Sequence, residues 1–294
     1  MSKLLSGSRI EEVASSGRPL PSWLVVDRYS ETLKRIYELE PSPQLAYLFH
    51  ETKYASLDEH SPLVVRIAQG GNLWTAYVKQ QDPSISQGVI ITSEAAEKDV
   101  LKHLRQCLEI EFYAGRKALF RFYDASIASV FFSADSTLDR WLGPLERVIW
   151  FGGTWEQVGE YGKRWYSCLS ETLHPPQQAE KLHGNDELHK LSSSQETAME
   201  NFVLIQGIWR KWIKNNRADE FSAENISYFS KLVLTTMQLE LPSEHLQKAL
   251  EIFLTLAPGQ WLAGVGDLPA VNRLQEIERR AEHHSQSKTR SSTV

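Results

Sequence analysis

Apolar positions along the chain follow two rhythms, one before about residue 170 and another after it. In the first part the runs are short and dense. Trp23-Leu24-Val25-Val26 is an apolar run closed by Asp27, and Ser30 to Leu39 then repeats with a helical period until Pro41 and Pro43 stop it. Gln44 to Phe49, Leu63 to Ile67 and Gly88 to Ile91 are compact and rich in β-branched or aromatic residues, which predicts strands. Ser93 is placed to cap a helix carrying Glu94 and Glu97 in its first turn, where negative charge suits the helix dipole. Val100, Leu101, Leu104, Cys107 and Leu108 share one face of that helix. Leu108 to Tyr113 and Lys117 to Tyr123 flank Ala114-Gly115-Arg116 and read as a hairpin. Ser126 to Phe132 and Thr137 to Leu142 read as short helices, and Leu145 to Phe151 as a last strand before Gly152-Gly153.

Past about Ser170 the rhythm changes. His174-Pro175-Pro176-Gln177-Gln178 begins a polar stretch that runs to Ser194. Ser193 and Glu196 have capping-box spacing, ahead of a stripe of Phe202, Ile205, Ile208, Trp209, Trp212 and Ile213. Two more stripes follow, Ile226 to Met237 and Leu246 to Leu254, then a short helix from Val271 to Ala281. Alternating strands and helices followed by a hairpin predict an α/β domain with a mixed sheet and flanking helices, joined to an all-α module. The expected boundaries are an extension over 1–20, the α/β domain over 21–165, a polar connection over 166–195, the helical module over 196–282, and a disordered tail over 283–294.

Composition narrows the class without naming it. With 41% hydrophobic and 23% charged residues in 294, this is an ordinary globular composition with room for two domains. A formal net charge of −5 gives no electrostatic reason to bind nucleic acid or an acidic membrane. Nine Trp is high for this length, and Trp concentrates in cores and at binding hot spots. Cys107 and Cys168 are the only cysteines; neither has metal-ligand spacing, and two thiols make no disulfide framework. Met1 to Ser16 lacks the continuous apolar core of a signal peptide, and no run is long enough to span a bilayer. The expected compartment is the cytoplasm.

No catalytic set stands out. A nucleophile elbow and a phosphate loop are both missing. Gly264-Val265-Gly266 lacks the third glycine of a dinucleotide fingerprint and reads as a turn between helices. His183, Asp186 and His189 have ligand-like spacing, but Gly184-Asn185 interrupts them and the surroundings are polar, so a solvated linker is expected, with no metal and no cofactor. Arg121 and Asp124 are the strongest polar candidates. On a strand, Leu119, Arg121 and Tyr123 share one face while Phe120, Phe122 and Asp124 share the other. A charge within so aromatic a run must be paired or must serve a surface. The architectural reading has Asp124 cap the helix near Ser126 and Arg121 pair with a carboxylate. The functional reading puts both in a recognition groove. A catalytic version would enlist His103. Arg66 reads as a paired structural arginine, Gly143-Pro144 as a helix stop, and Trp209 and Trp212 as core or as an aromatic edge for a partner.

The order Gly115-Arg116-Lys117-Ala118-Leu119-Phe120-Arg121-Phe122-Tyr123-Asp124, then an apolar helix, then Trp141-Leu142-Gly143-Pro144, resembles the bacterial type VI secretion effector-chaperone (adaptor) family, catalogued as a domain of unknown function. The resemblance reaches back through Gly88-Val89-Ile90-Ile91 to Ser61-Pro62-Leu63-Val64-Val65-Arg66, and more loosely to Trp23 and Asp27, so it covers roughly the first half. It departs from the family at Ala125-Ser126, where many relatives carry a bulkier charged or Pro-containing turn. It implies a binding protein without a reaction centre. Such chaperones hold a cognate toxic effector in the cytoplasm and help load it onto the valine-glycine repeat spike protein. The family's shared domain would contain Arg66, Gly88, Gly115, Arg121, Tyr123, Asp124, Gly143 and Pro144, while the helical half would choose the effector. The rivals are a hydrolase or transferase using His103, Arg121 and Asp124, and an immunity-type protein that neutralises a toxin.

Overall fold

The computed structural model describes residues 2–14, 21–134, 138–170 and 189–291. The chain forms two compact units, one of Met1–Gly153 with Lys163–Met199, the other of Thr154–Gly162 with Glu200–Val294. The elements of the first unit run β1 (Ser2–Gly7), α1 (Ile10–Ala14), β2 (Ser22–Val26), α2 (Thr32–Leu39), β3 (Leu45–Tyr47), β4 (Leu63–Ile67), α3 (Asn72–Lys79), α4 (Pro83–Ser86), β5 (Val89–Thr92) and α5 (Glu97–Gln106). They continue with β6 (Glu109–Phe112), β7 (Arg116–Leu119), α6 (Ala125–Ala134), α7 (Asp139–Leu142) and β8 (Arg147–Gly152). Helix α8 (Trp155–Tyr161) belongs to the second unit; β9 (Arg164–Ser170) and β10 (His189–Lys190) complete the first.

Seven strands make one sheet in the order β1-β9-β8-β5-β2-β4-β3, and every neighbouring pair in it is antiparallel. The expected sheet with flanking helices is present, and its seven-stranded part is antiparallel throughout. The reason lies in the strand order. β4 and β5, joined through α3 and α4, do run parallel to each other, but β2 fills the slot between them. Parallel pairing occurs in the separate three-stranded sheet β10-β6-β7, where β10 runs alongside β6. The predicted hairpin is the β6–β7 pair of that small sheet, and Gly115 takes φ +73° at its turn.

Both faces of the large sheet are covered, which is why its strands read as continuous apolar runs. On β2, Trp23 and Val25 face one core while Leu24 and Val26 face the other; Val148 and Trp150 against Ile149 repeat the alternation on β8. One core is closed by α5, α6 and the small sheet, the other by α1, α2 and α3. Of the expected extension, residues 2–14 are part of the fold: β1 is the edge strand paired along β9, and Ile10 and Val13 are buried. The span expected as a polar connection begins with strand residues to Ser170.

In the second unit α8 packs with α9 (Ser193–Asn216, which begins in the first unit), α10 (Ala223–Gln238), α11 (Ser243–Thr255) and α12 (Ala270–Ser291). Trp155 of α8 lies 5.4 Å from Trp209 and 4.9 Å from Phe229. Gly159 lets α8 come close to α10, since a Cβ there would sit 2.5 Å from the Ser230 carbonyl oxygen. The box that caps α9 is formed one residue earlier than its sequence suggests. Ser192 N–H donates to Gln195 Oε1 (3.0 Å) and Gln195 N–H donates to Ser192 Oγ (3.3 Å), while Glu196 Oε1 accepts from the Tyr113 N–H. Helix α12 continues to Ser291 where a tail from 283 was expected, in keeping with its Glu, Arg, Ala and Gln content. Its Arg273 donates to the Leu239 carbonyl that ends α10 (2.6 Å), and Arg280 donates to the carbonyls of Trp261 (2.9 Å) and Ala263 (2.7 Å).

Candidate functional site

The polar cluster around Arg121 grows from the end of one strand and the turn after another. β2 delivers Asp27 just beyond its last residue. β7 ends at Leu119, and its ladder closes with the Phe120 N–H bonded to the Leu108 carbonyl (2.8 Å). Residues 120–124 are then a turn, with the Asp124 N–H on the Arg121 carbonyl (2.9 Å), and the strand faces expected through Tyr123 do not continue. The turn buries Phe120, Phe122 and Tyr123 together and leaves Arg121 half-buried. Its guanidinium forms an ion pair with Asp27 and lies 3.7 Å from Asp124. Asp124 also caps α6, accepting from the N–H groups of Ser126 (2.8 Å) and Ile127 (3.3 Å).

Electrostatics follow from this enclosure. Burial raises the Asp124 carboxyl above its ordinary range, and Arg121 with the two backbone N–H groups offsets part of that rise. Burial disfavours the Arg121 cation, but Asp27 and then Asp124 more than reverse this, so Arg121 is held above its usual value. The Tyr123 and Tyr29 hydroxyls are both pushed up, by burial first and by Asp27 second. Asp27 as partner and Tyr29 as neighbour were not assigned from sequence. The available signal was an acid placed directly after the apolar run Trp23-Leu24-Val25-Val26.

The other sequence candidates lie elsewhere. Arg66 pairs in register with Trp23, its guanidinium 4.4 Å from the indole ring centre. Trp141 is the hub of the first core, with the rings of Phe120, Phe122, Phe131 and Phe132 at 5.0–6.4 Å. His103 Nε2–H donates to the Trp141 carbonyl (2.8 Å), and the Cys107 sulfur lies 3.5 Å from that nitrogen and 3.7 Å from His189 Nε2. Gly143, at φ +54°, exists for this packing: a Cβ would sit 2.5 Å from the His103 ring. Burial holds the Cys107 thiol well above its ordinary value, which disfavours the thiolate form. Trp209 is buried and stacks on Trp212 at 5.6 Å; Trp212 is half-buried and lies 5.9 Å from the exposed ring of Tyr228.

Among the described residues no group of His, Cys, Asp and Glu could hold a metal ion. His183 and Asp186 lie outside the described residues; His189 sits in β10. No helix among the described residues is long and apolar enough to cross a membrane. Searches among curated proteins and among solved structures gave no match to the chain. Residues 22–140, from the start of β2 into α7 and including Arg66, Arg121, Tyr123 and Asp124, match the family described as a domain of unknown function (DUF4123).

Proposed function

We propose that this protein is an effector chaperone of type VI secretion, binding a cognate toxic effector in the cytoplasm and promoting its loading onto the valine-glycine repeat spike protein. The observation that carries this reading is the family match over residues 22–140, which covers most of the stretch whose motifs resemble effector chaperones and ends just before Trp141-Leu142-Gly143-Pro144. The chemistry of the first unit supports holding over reacting. The charge of Arg121 is taken up by Asp27 and Asp124, and Asp124 spends its remaining capacity on the start of α6. The helical unit supplies contact area suited to a partner, with Trp212 half-buried and Tyr228 and Phe221 exposed. A stable complex of this kind buries roughly 1,500 Å².

The test is affinity purification of the tagged chain from its native bacterium while the secretion system is expressed, with mass spectrometry of what co-purifies. Recovery of one large secreted toxin that keeps its activity in the complex is the expected result. A toxin that is bound but inactivated would make the protein an immunity factor instead. Recovery of neither toxin nor spike protein would sink the reading.

A further inference from the structure

The outer face of α9 carries a pattern the first reading does not use. Gly207 sits in the middle of this 24-residue helix, where glycine is less stable than alanine. A Cβ added there would meet nothing within 4 Å, so no contact inside the chain calls for glycine. Glu200, Val203, Arg210, Lys211 and Lys214 share its face at 100° per residue, and all are exposed, Val203 at 69%. Lys211 reaches Glu251 at 3.6 Å, whereas Glu200 and Lys214 make no ion pair with any described residue.

Four of these positions are symmetric about the glycine, while the mirror of Arg210 is the half-buried Leu204 at the margin of the face. Glu200 lies seven residues before it and Lys214 seven after; Val203 lies four before and Lys211 four after. We propose that α9 is a self-association surface, on which two copies of the chain pack antiparallel about a two-fold axis beside Gly207. That axis places each residue opposite its mirror position. Glu200 then meets Lys214 of the second copy, Val203 lies on the methylene stem of Lys211 of the second copy, and both contacts occur twice. Seven residues are two helical turns, about 10 Å along the axis, so a shallow crossing of about 20° keeps both acid–base pairs within reach. Glycine at the crossing lets the two backbones approach closely. A parallel arrangement would oppose Glu200 to Glu200 and Lys214 to Lys214. One helix pair buries less than a standard interface, so the dimer is weak, with a dissociation constant on the order of tens of micromolar.

Sedimentation equilibrium of the full chain from roughly 5 to 300 μM, a range bracketing that value, tests this without any other protein. The wild type should show a reversible monomer–dimer equilibrium. Gly207→Leu should be monomeric across the range while its melting temperature stays level or rises, because the side chain enters open space and the helix loses a glycine. Glu200→Lys and Lys214→Glu should each weaken the dimer about fivefold or more, since two pairs are lost per dimer. The double variant Glu200→Lys with Lys214→Glu should recover wild-type association. A wild type that stays monomeric, a dimer indifferent to Gly207→Leu, or a double variant no tighter than the single ones would each overturn the proposal.

Discussion

The two units differ in how far their buried polar groups must reach for a partner. In the sheet unit the reach is often long, although Ser129 turns back to the Ala125 carbonyl of its own helix (2.7 Å). Ser93 Oγ–H donates to the Pro144 carbonyl (2.6 Å), Ser167 Oγ–H to the Val13 carbonyl (3.0 Å), the buried Arg147 to that same carbonyl, and Arg121 pairs with Asp27. In the helical unit the buried hydroxyls turn back on their own helix, Ser230 to the Ile226 carbonyl (2.6 Å) and Thr236 to the Leu232 carbonyl (2.8 Å). A polar group satisfied from far along the chain tolerates one arrangement, because displacing it leaves both partners unsolvated. Helices that satisfy their own buried hydroxyls are positioned mainly by apolar shape, although Arg273 and Arg280 of α12 reach further, to the carbonyls of Leu239, Trp261 and Ala263. The first unit is thus specified more by pairing, the second more by packing.

The strongest way to break that contrast is to remove the aromatic hub of the sheet unit. Trp141→Ala should cost about 4 kcal/mol, and hydrogen exchange in increasing urea should show the loss in the sheet unit, with the helices of residues 223–291 keeping their protection. Equal loss in both would make the two units one cooperative body. Next comes Gly159→Val, whose side chain meets the Ser230 carbonyl. It should cost about 2 kcal/mol, confined to the helical unit by the same measurement. A smaller pair sharpens the polar argument itself. Asp124→Ala removes a helix cap and a partner of Arg121 and should cost about 1 to 2 kcal/mol. Ser230→Ala removes a bond made within one helix and should stay within about 0.5 kcal/mol. Chemical denaturation of the two variants compares them directly, and similar losses would erase the distinction.

The smallest effect is one of pH, and its sign differs between units. Asp124 is raised in the fold, so the native state holds its proton more tightly than the unfolded chain; its contribution falls as pH rises through the raised value. Glu276 is lowered from 4.5 to about 2 by its bonds to Arg279 and Arg280. Its contribution is present above 4.5 and is lost as pH falls towards 2. Acid titration followed by hydrogen exchange should therefore show Glu276→Gln flattening the acid-side slope of the helical unit. Asp124→Asn should remove the opposite slope from the sheet unit. An unchanged slope in either variant would discard that assignment.

Much of this was legible in the sequence because local rules were obeyed. The strands covered on both faces read as apolar runs, the hairpin turned at Gly115, and the Asp124 cap followed from an acid two residues before Ser126. What escaped depended on distant partners. Ser2–Gly7 carries too few apolar residues to announce a strand, because an edge needs only one neighbour, and that neighbour is β9. Helix α8 was hidden between two strands, although Thr154 and Gln157 form a capping box there. Ser93 does not cap α5 directly: Ala96 occupies that position, and Ser93 binds the Ala95 N–H (3.0 Å) and the Pro144 carbonyl. The α9 cap slipped by one residue because Ser192–Gln195 and Ser193–Glu196 both fit the motif, and the Tyr113 N–H claims Glu196. Of the Arg121 cluster, the sequence showed the need for a partner but not that Asp27 would supply it.

The pairing of β1 with β9 bears on how the chain is made. Strand β1 is complemented by residues made much later, as far along as Ser170. At about 5 to 20 residues per second, synthesis leaves β1 without its mate for roughly ten to thirty seconds. Throughout that interval the nascent chain carries an unsatisfied strand, and the sheet can close only when its seventh member arrives.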